Sequence, residues 1–221
     1  MAFLTLIIGN KNYSSWSLRP WLALKQFELP FDEVRIPLYT PESTAQIRQY
    51  CPDGNGKVPI LIHESRAIWD SMAIFEYLAE MYPERSWWTG DRSGRAIARS
   101  ICAEMHSGFF ALRNQLAMNC RGHFPNYEIT PEVQQDIDRI TTVWKHCREK
   151  YGTGGGFLFG RFTIADAVYA PVVLRFRTYD VKLDPICQDY SEAILALPAM
   201  QEWLDSAIAE PEIISAFDPA N

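Results

Sequence analysis

No stretch of this 221-residue sequence is long and apolar enough to cross a bilayer. The longest uncharged apolar run, MAFLTLIIGN, falls short of the roughly 20 residues a spanning helix needs, and it lacks the basic start and small-residue cleavage site of a secretory signal. A basic stripe is also missing. Lys and Arg together number 21 against 27 acidic residues, for a net charge of −6, which argues against a nucleic-acid groove. The five cysteines, Cys51, Cys102, Cys120, Cys147 and Cys187, are odd in number and scattered. No CxxC pair exists and no Cys/His grouping has zinc-site spacing, so the expectation is reduced thiols in a cytoplasmic protein with no metal. The Gly-rich segment GTGGGFLFG is not followed by Gly-Lys-Ser/Thr, which removes a phosphate loop. There is no GxSxG elbow and nothing places a His–Asp relay against a serine, so a serine hydrolase is set aside.

What is present suits a soluble globular chain: 48% hydrophobic, 22% charged and 13% aromatic residues, including seven Trp. FLTLII near the start is a nearly continuous apolar run ending at Gly9-Asn10, as in a strand covered on both faces. A helical pattern follows from Leu18. FDEVRIPL alternates Val34, Ile36 and Leu38 with polar partners, and Pro37 points to a sheet edge. Ser43 to Tyr50 reads as a short helix closed by CPDGNG, PILIHESRAIW as two strands around Glu64-Ser65, and DSMAIFEYLAEMY as an amphipathic helix. Residues 1–82 therefore form a β-α-β-α-β-β-α unit and 83–90 a linker. Residues 91–221 show no strand. SGRAIARSICAEMHSGFFALRNQL spaces Ile97, Ile101, Met105, Phe109, Leu112 and Leu116 as one long helix. PEVQQDIDRITTVWKHCREKY, FTIADAVYAPVVLRF, SEAILALP and PAMQEWLDSAIAEP add four more, with Thr163 and Asp166 spaced as a capping box.

NYSSWSLRPWLAL raises the question of function, because three serines precede one helix. Proline is tolerated in a helix's first turn, so Pro20 makes Ser17 the best N-cap. Ser14 and Ser15 then lie just upstream, either as ordinary turn residues or with hydroxyls facing a ligand at the helix's positive end, where a thiol would be held as thiolate. In KVPILI, Val58-Pro59 is either a strand-start proline or a cis bond presenting Val58's backbone to an extended peptide. WDS makes Asp70 the N-cap of the next helix. The free N–H groups there and the Ser71 hydroxyl suit an α-carboxylate. The three features together fit a small thiol peptide.

SSWS after the first strand, KVPIL, DSMAIFEYL and FTIADAVYAP, in this order and spacing, resemble the glutathione S-transferases, specifically the serine-type branch near the zeta class and its bacterial relatives. AEMHSGFFALR is similar to the long helix of several bacterial members. The resemblance spans essentially the whole chain. It implies an α/β thioredoxin-like N-terminal domain with a mixed four-stranded sheet, followed by an all-α domain contributing a second-substrate pocket. It implies that Ser14, with Ser15 second, activates the thiol of glutathione. Val58 would pair with the cysteinyl backbone beside a cis Pro59, Asp70 and Ser71 would hold the γ-glutamyl end, and Lys57 would reach the glycyl carboxylate. Asn12, Trp16, His106, Phe110 and Arg113 would line the second pocket, the last three as one helix stripe in which Arg113 selects an anionic electrophile. Zeta enzymes carry Ser-Ser-Cys where this chain has Trp16, and Asp-Ser stands here for the family's Glu-Ser or Gln-Ser. The leading expectation is a cytoplasmic, homodimeric glutathione transferase acting on a small electrophile. The alternatives are a glutathione-dependent cis–trans isomerase of an unsaturated diacid, a glutathione-dependent peroxidase, or a non-catalytic binding protein. A disulfide-exchange enzyme would need a cysteine between positions 14 and 17, and there is none.

Overall fold

A computed structural model describes residues 3–218. β1 (Leu4–Ile8) runs parallel to β2 (Phe31–Arg35) and antiparallel to β3 (Ile60–His63), which pairs antiparallel with β4 (Arg66–Ile68), giving a mixed sheet of order β2-β1-β3-β4. The inner place of β1 explains its continuous apolar run. Leu4, Leu6 and Ile8 face the main core, whereas Ile7 faces a smaller cluster with Ile36, Ile47, Cys51 and Ile60. β2 lies at the sheet edge and ends before Pro37. Three helices complete this part: α1 (Ser15–Gln26), α2 (Ser43–Tyr50) and α3 (Ser71–Met81).

Six helices follow: α4 (Arg92–Ser107), α5 (Phe110–Gln115), α6 (Pro131–Tyr151), α7 (Ile164–Thr178), α8 (Pro185–Leu195) and α9 (Pro198–Ala209). The fold is thus a thioredoxin-like sheet unit joined to a helical one. α7 is buried along nearly its whole length and packs against both α1 and α4, fixing one unit on the other. The Thr163–Asp166 capping box is formed. Asp166 accepts from the N–H of Leu158 (3.0 Å), the N–H of Thr163 (2.8 Å) and the Thr163 hydroxyl (2.9 Å). Burial nevertheless pushes its carboxyl up to about 6, against the pull of those bonds.

Three expectations are corrected. The long helix of residues 93–116 is two helices, because Gly108 adopts an extended backbone and Phe109 a left-handed one with φ 59°. A Cβ on Gly108 would lie 2.9 Å from the Glu104 carbonyl oxygen, so this turn requires glycine. The helix expected to begin at Ser191 begins at Pro185, capped by Asp184, whose carboxylate accepts from Ile186 and Cys187. The N-cap of α1 is Ser14 and not Ser17. Ser17 lies inside the helix, where its hydroxyl accepts from the Gly9 N–H (3.0 Å), tying the helix to the end of β1. Pro20 is accommodated within α1.

Candidate active site

The turn from β1 into α1 is closed by the Asn10 carbonyl, which accepts from the N–H groups of Tyr13 (3.2 Å) and Ser14 (2.8 Å). The Lys11 and Asn12 N–H groups point the other way, to the buried carboxylate of Glu210, at 2.7 and 3.1 Å. This double anchorage sets out the serines at the mouth of α1. Ser14 Oγ is engaged within the chain: it lies 2.7 Å from Ser17 Oγ and accepts from the Ser17 N–H at 3.4 Å. Ser15 Oγ accepts from Arg175 Nη2 at 3.3 Å, which leaves its own proton free to donate.

Both serines line a cleft of about 500 Å³ between the sheet unit and the helices. Trp16, Lys57, Val58 and Arg113 share it, as do Tyr13, Tyr39, Arg175 and Phe217. Among the described residues no cysteine lines it. The Val58–Pro59 peptide is cis, and the Val58 backbone makes no hydrogen bond among the described residues. Asp70 caps α3, its Oδ1 accepting from the Met72 N–H at 2.8 Å. Ser71 is fully buried, and its hydroxyl has no partner among the described residues.

Electrostatically the cleft is starved of anions. Arg175 is buried with its Nη1 on the Leu116 carbonyl, and burial followed by repulsion from Arg113 lowers it to about 9. It is therefore still charged at neutral pH. Arg19, behind Trp16, is lowered to about 9 by the same two causes. Arg113 is also lowered, chiefly by burial. Among the described residues none of these three arginines has a carboxylate within ion-pair distance. Lys57 is exposed at the cleft rim.

Three expected pocket residues lie elsewhere. Asn12 is fully buried, bonding Asn119 and the Arg121 N–H, so it joins the two units and does not face the cleft. Phe110 is 67% exposed because the turn at Gly108 breaks the stripe that would have carried it inward. His106 lies outside the cleft lining; its Nε2 meets Asp70 Oδ2 at 3.3 Å and its ring packs on Trp16. Burial first, then Arg19 and Arg113, holds this imidazole below its usual range despite the nearby Asp70. Conversely, Arg175, Tyr39 and Phe217 are cleft residues that the sequence reading omitted. Arg175 had a signal: it is a cation inside the apolar run VYAPVVLRF.

A four-stranded mixed sheet with a serine-bearing turn and a cis-proline loop, backed by a helical unit across a cleft, defines a two-domain class of thiol-peptide enzymes. The comparisons agree. Residues 13–81 match the model of the glutathione S-transferase N-terminal domain and residues 128–206 that of the C-terminal domain, together more than half of the chain. The chain belongs to the glutathione S-transferase family. It is 27% identical over 216 residues to the maleylacetoacetate isomerase of Pseudomonas aeruginosa, covering 96% of this chain and 93% of that one. A probable maleylacetoacetate isomerase of Caenorhabditis elegans is 27% identical over 175 residues, covering 77% and 78%. Among solved structures, a bacterial zeta-class maleyl pyruvate isomerase shares 21% identity with a TM-score of 0.70, covering 94% of this chain and 99% of that one. A glutathione transferase homologue from Burkholderia with bound glutathione shares 23% identity with a TM-score of 0.69, covering 94% and 100%. No helix among the described residues is long and apolar enough to cross a membrane.

Proposed function

We propose that this protein binds glutathione in the cleft, holds its sulfur as a thiolate at Ser15, and uses it to catalyse cis–trans isomerisation of a small unsaturated diacid. The observation that carries the reading is the placement of Arg175 and Arg113. Two guanidiniums without carboxylate partners line the same cleft as Ser15, where a dianionic substrate would neutralise them. Both curated relatives are named as maleylacetoacetate isomerases, one as probable, which supports isomerisation over the general conjugation first expected.

The chain's own groups fit the tripeptide. Val58 offers an unpaired backbone N–H and C=O for strand-like pairing, beside the cis Pro59. Ser71, at the first position of α3, would give its hydroxyl and the helix's N-terminal N–H groups to the γ-glutamyl carboxylate, and Asp70 would meet the α-amino group, in an extension of the cleft beyond its present lining. Lys57 at the rim would take the glycyl carboxylate. Glutathione, when bound, supplies a sulfur that adds to the double bond and leaves again after rotation, so none is consumed. Ser15 donates to that sulfur, and Arg175, by donating to the Ser15 oxygen, polarises the hydroxyl and makes it a stronger donor. Arg175 and Arg113 also orient the diacid and offset the charge that builds on it. Ser14, held by Ser17, supports the turn.

The test is stoichiometric. Given a trace of glutathione and an excess of a cis-unsaturated diacid, an isomerase converts many equivalents of diacid per glutathione. One-to-one consumption of glutathione, with equal activity on an aryl halide, would return the reading to conjugation. Retention on immobilised glutathione without turnover of either would make it a binding protein.

A further inference from the structure

We propose that Trp16 is the positioning residue for Arg113, fixing the arginine that reads a substrate carboxylate; this rests on the reading of the cleft as the second-substrate site. Trp16 sits in the first turn of α1, directly after Ser15, and lines the cleft. Two guanidiniums lie over its indole: Arg19 from the same helix, with Cζ 4.3 Å from the ring centre, and Arg113 from α5, with Cζ at 4.9 Å. The His106 ring packs edge-on against the indole at 5.2 Å between centroids.

Like charges should not gather in this way without compensation. Arg19 is lowered first by burial and then by Arg113 and Arg175, and Asp70 and Asp136 act on Arg19 and Arg113 only from beyond ion-pair distance. The negative π face of the indole is the group in contact with both cations. Arg113 is otherwise held by its edges. Nε donates to the Gly108 carbonyl at 3.0 Å and Nη2 to the Met105 carbonyl, groups freed by the break between α4 and α5. Nη1 makes no hydrogen bond among the described residues. The carbonyls and the indole therefore fix the guanidinium plane from its edge and its face, with one N–H pair left for a ligand. A cysteine at position 16 would supply no such face.

The probe is maleate, a cis-unsaturated diacid, titrated calorimetrically beside its neutral diamide, maleamide. Trp16→Leu should weaken maleate binding about tenfold, the size of one desolvated cation–π contact. Trp16→Phe, which keeps a π face, should stay within about threefold of wild type. In an Arg113→Ala background, Trp16→Leu should produce no further loss, because the two residues act as one unit. The proposal is overturned if Trp16→Leu leaves maleate binding unchanged, if it weakens maleate and maleamide equally, or if its effect multiplies with that of Arg113→Ala. It is also overturned if the wild-type protein binds maleate no better than maleamide. Failure to bind glutathione would instead remove the proposed function while leaving the maleate titration intact as a readout.

Discussion

Glu210→Gln perturbs the turn between β1 and α1 from the far end of the chain. The Glu210 side chain is 6% exposed and accepts from two consecutive backbone N–H groups, Lys11 at 2.7 Å and Asn12 at 3.1 Å. Glutamine offers one acceptor oxygen, and its amide N–H groups must face the second backbone donor. Hydrogen bonds to a charged group contribute roughly 1.5–3 kcal/mol each, so losing one and neutralising the other should remove about 2–4 kcal/mol of stability. Arg35, 3.7 Å from Glu210, adds little because it keeps its closer partner Glu212 at 2.8 Å and is partly exposed. In a chain of this size the loss corresponds to a fall in Tm of about 5–15 °C. Urea unfolding and a thermal melt measure it, and a glutathione titration measures how far the turn carrying Ser14 and Ser15 has moved. Stability within about 0.5 kcal/mol of wild type, the ordinary scatter of a surface change, would refute the anchoring role.

Asp166 makes stability depend on pH. Its folded value of about 6 lies above its ordinary 3.8, so its contribution is fully present below about 3.8 and is lost as pH rises through about 6. The stability gap between wild type and Asp166→Asn should therefore widen, by up to about 3 kcal/mol, as pH falls from 7.5 to about 4; urea unfolding at the two pH values checks this, and a flat or narrowing gap would contradict it. Ser14→Ala removes a helix N-cap and should lower stability by about 1 kcal/mol in the same assay while leaving the acidity of bound glutathione unchanged. Arg113→Ala should raise KM for carboxylate-bearing electrophiles about tenfold or more and leave neutral ones nearly unaffected; equal losses on both in steady-state kinetics would exclude a carboxylate contact.

Much of the fold was legible because local chemistry and tertiary packing agree. FLTLII is a nearly continuous apolar run because β1 lies inside the sheet, and Thr163 with Asp166 announces the start of α7. Agreement failed where a distant group decided the outcome. Ser17 has the spacing of a cap, but the Gly9 N–H takes its hydroxyl and the cap passes to Ser14. The apolar spacing of residues 93–116 continues across the break at Gly108, because Leu112 and Leu116 are buried in α5 and beyond just as Met105 is in α4, so periodicity alone could not reveal the turn. Asp184-Pro185 carries the cap-and-proline signal of α8. The cleft lining was legible for Ser14, Ser15, Trp16, Lys57 and Val58, which lie in two short motifs. Arg175, Glu210 and Phe217 reach the turn or the cleft only through folding, and no spacing links them to Ser15.

The acidity of the glutathione thiol on the protein tests the central claim most directly, read from thiolate absorbance across a pH series for wild type, Ser14→Ala and Ser15→Ala. A hydroxyl donating to the sulfur anion should lower the thiol pKa by about 1–2 units from its free value of about 8.5, and Ser15→Ala alone should return it toward that value. A bound thiol no more acidic than in buffer, or one whose acidity survives in Ser15→Ala, would contradict the account.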